Sequence, residues 1–217
     1  SCRKPHGEGY DAMEGIHDMI LQATAVSPIK AISPIDRPHQ LFLTGDQIYA
    51  DDVADVMLFM IDDAASVLFG WDWDEDYAPF TANELKPGHR NTNDRMRRDV
   101  GFTGMLPLKP YYSKSHLLKF REYATMYLFA WSDTLWPNDA DLPNYDDIHP
   151  GAYYKNVSEF RKGLTIIQVP IFTYFNSELN FVRIFKSTIS RVRKALANIP
   201  TYMIFDDHEI TDDWNLN

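Results

Sequence analysis

The sequence predicts an α/β fold, because helical patterns alternate along the chain with short apolar runs of strand length. The first apolar run, residues 41–44, stops at Gly45, and the second, residues 201–205, leads directly into four polar or charged residues. Short, continuous apolar runs bounded by turn or polar residues are typical of strands buried in a parallel sheet. Strands that alternate with helices indicate a layered α/β domain.

Apolar side chains at helical spacing predict the helices that surround these strands. The segments with this spacing are residues 11–25, 51–69, about 115–132 and 177–198. Asp11 stands where the N-cap of the first helix is expected, and Pro200 ends the last. We predict that residues of about 70–170 form a helical, loop-rich insertion in the domain.

Composition narrows the function classes. The chain has 217 residues, with 21 basic and 31 acidic side chains and a net charge of −10. This acidic balance argues against general nucleic-acid binding, which requires a basic surface. The single cysteine, Cys2, excludes an intrachain disulfide, and no apolar run approaches the roughly 20 residues of a membrane span. The sequence indicates neither a cellular location nor an oligomeric state.

Acidic residues follow both predicted strands. Asp46 comes shortly after the first strand, and Asp206, Asp207 and His208 come directly after the second. If the strands are parallel, both loops lie at one sheet edge, where α/β proteins bind their ligands. Crowded carboxylates stay ionised when a cation lies between them, and a neighbouring histidine can act as ligand or general acid. The simpler alternative is that these residues, like Asp51 and Asp52 before the second helix, only cap helices.

Three short blocks resemble the signature blocks of PhoD-like (alkaline phosphatase D-like) metallophosphatases, a branch of the calcineurin-like phosphoesterases. They are Ser-Cys-Arg at residues 1–3, Gly-Asp-Gln-Ile-Tyr at residues 45–49 and Phe-Asp-Asp-His-Glu at residues 205–209, and they occur in the order of the family. The resemblance implies a layered metallophosphatase-type β-sandwich flanked by helices. Residues 1–217 would be the N-terminal half of such a domain, truncated at both ends.

The resemblance also implies a role for each matched residue. Asp46 would bridge two metal ions, Tyr49 and Cys2 would bind the one that is ferric iron, and Asp207 would bind the second. His208 would be the catalytic histidine beside the transferred phosphoryl group. The implied cofactors are divalent or trivalent metal ions, with Fe³⁺ and Ca²⁺ as candidates. The implied reaction is hydrolysis of a small phosphate monoester or diester by a metal-activated water.

Two matters stay open at the level of sequence. Asp11 lies shortly after the first block and is a candidate for a further metal ligand, although no motif fixes it. Calcineurin-like sites draw further histidine ligands from blocks in the second half of the domain, which we expect beyond Asn217. The alternative functions are a non-catalytic module that binds a cation or another protein, and a metal-dependent nuclease.

Overall fold

The described part of the chain is a mixed α/β structure. The computed structural model describes residues 2–24, 37–70, 80–81, 85–87, 116–148 and 171–213. In chain order, its helices and strands are α1 (Glu14–Thr24), β1 (Leu41–Leu43), α2 (Asp55–Phe69), α3 (Phe120–Trp131), α4 (Tyr145–Ile148), α5 (Ile171–Leu196) and β2 (Thr201–Met203). Short 3-10 helices cover Asp139–Asp141 and Asp207–Glu209.

The two strands form one parallel sheet. Leu41 pairs with Thr201 and Leu43 pairs with Met203, so both strands end at the same edge. Beyond the last pair, the backbone N–H of Ile204 donates a hydrogen bond of 3.2 Å to the carbonyl of Leu43. The predicted strands and the α/β class are therefore confirmed. The described residues contain this two-stranded sheet and no layered sandwich.

Burial of the strands differs from the prediction. Leu43 is buried, but Phe42 is 61% exposed and stacks on Tyr202 with ring centroids 5.1 Å apart. Ile204 and Phe205, which continue the second apolar run, are also exposed. The apolar run correctly predicted a strand, but no second layer covers this face among the described residues.

The main hydrophobic core surrounds α2, which packs against α3, α4 and α5. Its central side chains Val56, Met57, Leu58 and Ile61 are fully buried. Val67 lies in the predicted helical segment 51–69 and is apolar, yet it is 79% exposed near the helix end. Residues of the predicted insertion line the same core: Leu117, Met126, Phe129, Ala130, Leu142 and Ile148. The segments 71–79, 82–84, 88–115 and 149–170 of that insertion lie outside the described residues.

Helix α5 packs against α1 and against the core helices α2, α3 and α4. Its residue Ala195 packs with Ile20 of α1 and with Ile199, and its Arg191 forms ion pairs with Glu14 and Asp18. The helix begins at Ile171, earlier than the predicted 177. Neither α5 nor any other helix in the described ranges is long and apolar enough to cross a membrane.

The ends of α2 show what positions the loop before it. The N-cap is Ala54, which makes no side-chain capping bond, so neither Asp51 nor Asp52 caps this helix. At the other end, Gly70 adopts a left-handed conformation with φ of 64°, and its N–H donates to the carbonyl of Ser66. Glycine enters this conformation without the steric cost that a Cβ imposes, and it ends the helix.

Candidate functional site

The loops that follow β1 and β2 meet at the shared sheet edge. Asp46, Asp206 and Asp207 each place one carboxylate oxygen so that all three oxygens lie within 4.8 Å of one another. Asp46 is buried at 4% exposure, whereas Asp206 is exposed and Asp207 lies between. The predicted convergence of Asp46 and Asp207 is therefore confirmed, and Asp206 joins them.

Asp206 has a structural role as well. Its side chain accepts a hydrogen bond from the backbone N–H of Asp207 and caps the 3-10 helix, as the simpler interpretation of the acidic run predicted. Glu209 completes the capping box by accepting a 3.0 Å hydrogen bond from the backbone N–H of Asp206. Asp206 therefore caps the 3-10 helix, whereas the carboxylate of Asp207 lies near that of Asp46 in the acidic cluster.

Glu209 and Gln47 belong to the matched blocks but received no role from the sequence, and they connect the two loops. The buried carboxylate of Glu209 accepts a hydrogen bond from the backbone N–H of Gln47. The side-chain amide of Gln47 donates to the carbonyl of Ile204 at 3.2 Å. Burial raises the pKa of Glu209, against these backbone hydrogen bonds, and the charge of Asp46 raises it further. These bonds fix the position of the acidic cluster relative to the sheet.

Asp51 holds His208. Both oxygens of the fully buried Asp51 carboxylate lie 2.9 Å from Nδ1 of His208. Because an ionised carboxylate can only accept, Nδ1 carries the proton. Asp51 also accepts a 2.7 Å hydrogen bond from the backbone N–H of Asp212, and Ala50 N–H donates to the carbonyl of His208 at 2.8 Å. These hydrogen bonds fix the orientation of His208 through both its ring and its backbone.

The surroundings of His208 favour its charged form. Burial alone would lower its pKa, but the hydrogen bond and charge of Asp51, together with the charges of Asp46 and Asp207, raise it above the usual value. The ring stacks on Tyr49 with centroids 4.2 Å apart, and its Nε2 lies 3.9 Å from a carboxylate oxygen of Asp212. His208 is thus a positioned imidazole beside the acidic cluster, with a preference for carrying a proton.

The sequence analysis gave Asp51 the wrong role. It was interpreted as a helix cap, but α2 begins at Asp55, too far along the chain for Asp51 to cap it. One local signal was available: two adjacent aspartates precede the helix, and only one residue can be its N-cap. This signal indicates that one of the two aspartates has another role. It does not identify the partner of Asp51, which is His208, 157 positions along the chain.

Tyr49 and Cys2 also lie at the cluster. The Tyr49 hydroxyl lies beside the side chains of Asp46 and Cys2. Burial, followed by these two neighbours, raises the pKa of Tyr49 well above its usual range. Cys2 is an exposed free thiol whose backbone has a positive φ of 46°. The structure therefore brings together the residues Cys2, Asp46 and Tyr49 of the first two blocks.

Asp11 binds Arg3 and does not belong to the acidic cluster. Its carboxylate pairs with the buried guanidinium of Arg3 at 2.6 Å, and it accepts a 3.0 Å hydrogen bond from the backbone N–H of Met13 in the turn before α1. Because α1 begins at Glu14, Asp11 lies before the N-cap position, and the predicted capping role was wrong. Its candidacy as a metal ligand is not supported either, because the described acidic groups that could hold an ion do not include it.

Asp52, the neighbour of Asp51, turns to the segment that follows Cys2. Its carboxylate binds Lys4 and lies 3.2 Å from Nε2 of His6. Burial would raise the pKa of Asp52, but the hydrogen bonds and charges of His6 and Lys4 outweigh it and lower the pKa to about 2. Asp52 therefore ties the first residues of the chain to the loop before α2.

Replacing Asp52 by Asn should destabilise the protein in a pH-dependent way. A pKa lowered from 3.8 to about 2 corresponds to about 2 kcal/mol of folding free energy, present above pH 4 and lost as the pH falls toward 2. Denaturant unfolding at pH 7 and at decreasing pH measures this difference. Asp63→Asn, on the exposed surface of α2, is the matched control and should change little. A loss at pH 7 that persists undiminished near pH 2 would contradict this role.

The arrangement as a whole offers oxygen ligands for a hard cation next to a positioned imidazole. Asp207 belongs to a second possible cation group with Asp212 and Asp213, so carboxylates surround it on two sides. Hard cations prefer carboxylate and phenolate oxygen. Comparison of the chain with protein-family models, curated proteins and solved structures gave no match.

Proposed function

We propose that this protein hydrolyses phosphate monoesters or diesters with the help of bound metal ions, as the resemblance to PhoD-like metallophosphatases implies. The observation that carries the proposal is the meeting of Asp46 and Asp207 beside a histidine held by Asp51. Membership of that family, and the layered sandwich that it implies, are part of the same proposal. The reaction needs cation ligands and a proton donor at one place, and this sheet edge supplies both kinds of group.

The side chains present suit a metal centre. Three carboxylate oxygens within 4.8 Å of one another repel in the absence of a cation, and a bound ion would relieve that repulsion. Asp46 and Asp207 would hold the ions, with Tyr49 and Cys2 as further ligands on the Asp46 side. Bound metal ions would neutralise charge on the phosphoryl oxygens and activate water as the nucleophile.

The proton donor is His208. Its Nδ1 is occupied by Asp51, which leaves Nε2 as the nitrogen that can serve a substrate. Burial disfavours the protonated imidazole, whereas the hydrogen bond and charge of Asp51 favour it and raise the pKa of His208. His208 would protonate the departing alcohol, while Asp51 acts as a positioning residue that fixes the tautomer and orientation of the ring.

Removal of metal should abolish activity reversibly. We expect the protein to lose hydrolysis of bis(4-nitrophenyl) phosphate after chelation and to regain it when Fe³⁺, Ca²⁺ or Mn²⁺ is returned. Elemental analysis before and after chelation checks that the ion has left. Unchanged turnover in metal-free protein would refute the proposal, whereas bound metal without turnover of any phosphoester would favour the non-catalytic cation-binding alternative.

If the ion beside Tyr49 is ferric iron, the protein should be coloured. A phenolate bound to Fe³⁺ has a charge-transfer band in the visible, and the high pKa of Tyr49 means that only a bound cation would remove its proton near neutral pH. Tyr49→Phe keeps the ring on His208 but removes the ligand oxygen, so the band should shift or disappear. Tyr202→Phe, on the exposed strand, is the control. If Tyr49→Phe changes neither the visible spectrum nor the iron content of the iron-replete protein, Tyr49 is not an iron ligand.

A further inference from the structure

A cavity of about 420 Å³ lies between the start of the chain, α1 and α5. Its size is in the range of pockets that bind small ligands. Its lining includes Cys2, Arg3 and Lys4 at the start of the chain, Ile16 of α1 and Phe185 of α5. Of this lining, the proposed reaction uses only Cys2.

Arg3 carries an unused hydrogen-bond donor in the wall of the cavity. The residue is 3% exposed, its Nη1 lies 2.6 Å from a carboxylate oxygen of Asp11, and its Nε donates to the carbonyl of Ala130 at 2.6 Å. Its Nη2 is also buried and has no hydrogen-bond partner among the described residues. A guanidinium carries two N–H groups on this nitrogen, and a buried donor without an acceptor costs stability. Two donors of a buried cation are therefore available to an acceptor in the cavity.

The packing of Arg3 fixes the direction of these donors. The ring centroids of Trp131 and Phe185 lie 4.5 Å and 4.6 Å from its Cζ. The guanidinium cannot turn to give Nη2 another partner without losing these ring contacts and its bonds to Asp11 and Ala130. Arg3 is thus held in place before a ligand arrives, which lowers the entropic cost of binding one.

An anion is the acceptor that suits Arg3 best, because arginine forms charge-assisted hydrogen bonds with carboxylate and phosphate oxygens. Burial lowers the pKa of Arg3, and the charge and hydrogen bond of Asp11 offset this only in part. The protein therefore compensates the charge of Arg3 incompletely. Lys4 adds a second cation to the lining, although it pairs with Asp52. Together the two cations balance the lining acids Glu8 and Asp11, so an anion does not meet a net negative wall.

The cavity adjoins the proposed reaction site through Cys2. This residue lines the cavity and lies beside the Tyr49 hydroxyl, as Asp46 does. The next residue, Arg3, donates its backbone N–H to the carbonyl of Asp46 at 3.0 Å. A substrate whose phosphoryl group is held at Asp46 would therefore have the cavity beside it.

We propose that Arg3 makes this cavity a subsite for a second anionic group of the substrate, a carboxylate or a phosphate, bound through Nη2. The inference rests on the proposed function and deepens it, since it names the substrate class of the same site: phosphoesters with a further negative charge beside the scissile group. A protein with a net charge of −10 disfavours such substrates at long range. A preference for them would therefore report a local cation.

Two diesters with one leaving group test the inference. 2-Carboxyethyl 4-nitrophenyl phosphate and propyl 4-nitrophenyl phosphate release the same nitrophenolate and differ in the charge of the second substituent. The ratio of their kcat/KM values therefore reports how the anionic group is bound. We expect a preference for the carboxyethyl diester of roughly tenfold or more, as a new charge-assisted hydrogen bond gives. The 2-phosphonoethyl diester, measured in the same way, shows whether carboxylate or phosphate is the preferred anion.

Variants of the lining connect this preference to the cavity. Arg3→Lys keeps a cation for Asp11 but removes the Nη2 donors, so the ratio should fall several-fold. Ala12→Glu adds a negative charge at an exposed position of the lining and should also lower the ratio, whereas Glu8→Gln should raise it. Ala140→Glu, exposed and outside the cavity, makes the same change of net charge as Ala12→Glu and should leave the ratio unchanged. If Arg3→Lys does not fold, Ala12→Glu and Glu8→Gln decide the matter.

Binding of inert analogues separates this inference from the proposed function. Calorimetric titration of the metal-loaded protein should show 2-carboxyethylphosphonate binding more tightly than propylphosphonate, and Ala12→Glu should remove the difference. If neither diester is hydrolysed but this binding pattern appears, the proposed reaction fails and the subsite stands. Hydrolysis of both diesters without preference overturns the subsite, and so does the absence of both turnover and selective binding. A preference that arises because the carboxylate binds the metal ion would survive Arg3→Lys and Ala12→Glu, and that result would overturn the subsite as well.

Discussion

Replacing Asp46 or Asp207 by Asn is expected to reduce kcat/KM for a phosphodiester by more than about 100-fold. The loss should be this large because mutation of a residue that only orients a metal ligand already lowers metal affinity or activity by about 10- to 100-fold. Each change removes one negative charge from the cluster at the ends of β1 and β2 and keeps the shape of the side chain. Metal content should fall in parallel. The measurement is steady-state kinetics together with elemental analysis of each variant.

Asp46→Asn should not lower the free energy of unfolding of metal-free protein. The Asp46 carboxylate lies close to those of Asp206 and Asp207, so loss of its charge should leave this free energy unchanged or raise it. If Asp46 served only the fold, its replacement would lower this free energy instead. Asp207→Asn should behave differently: burial would raise the pKa of Asp207, but backbone hydrogen bonds and the charge of His208 outweigh it and lower the pKa, so its ionised form stabilises the fold. Asp63→Asn, with the same change of charge on the exposed surface of α2, should alter neither activity nor metal content. Full activity and full metal content in Asp46→Asn would place the metal centre elsewhere.

Replacing Asp51 by Asn is expected to have the second large effect, a loss of about 10²- to 10⁴-fold for alkyl phosphoesters, since this is the contribution of a positioned general acid. The amide can still accept a hydrogen bond from Nδ1 of His208, but it cannot balance the charge of the imidazolium. His208→Asn should give a similar loss. For nitrophenyl esters both losses should be much smaller, because a good leaving group needs little protonation.

The pH profile distinguishes this positioning role from a merely structural one. A general acid is active while protonated, so activity should fall as the pH rises through the pKa of His208. Asp51 raises that pKa, and its removal should therefore move the falling limb of the profile to lower pH. Equal losses on alkyl and nitrophenyl esters, with an unmoved limb, would show that Asp51 only supports the fold. Asp63→Asn again serves as the control.

Local patterns predicted most of the secondary structure. The spacing of apolar residues identified α1, α2, α3 and α5, and the two apolar runs identified β1 and β2. Helices and strands have characteristic backbone periodicities, and the spacing of apolar residues along the sequence reflects these periodicities directly. The exposure of Val67 and of Phe205 was not predicted, because burial depends on what packs against a segment and not on the segment itself.

The sequence by itself determined that Asp46 and Asp207 would meet, since parallel strands end at one edge and each residue closely follows its strand. Only the tertiary structure decided the roles of Asp51, Asp206 and Glu209. An aspartate that caps a helix and one that holds a histidine look alike in sequence. The partner decides between them, and in the case of Asp51 the partner is His208, brought near by the pairing of two strands far apart in the chain.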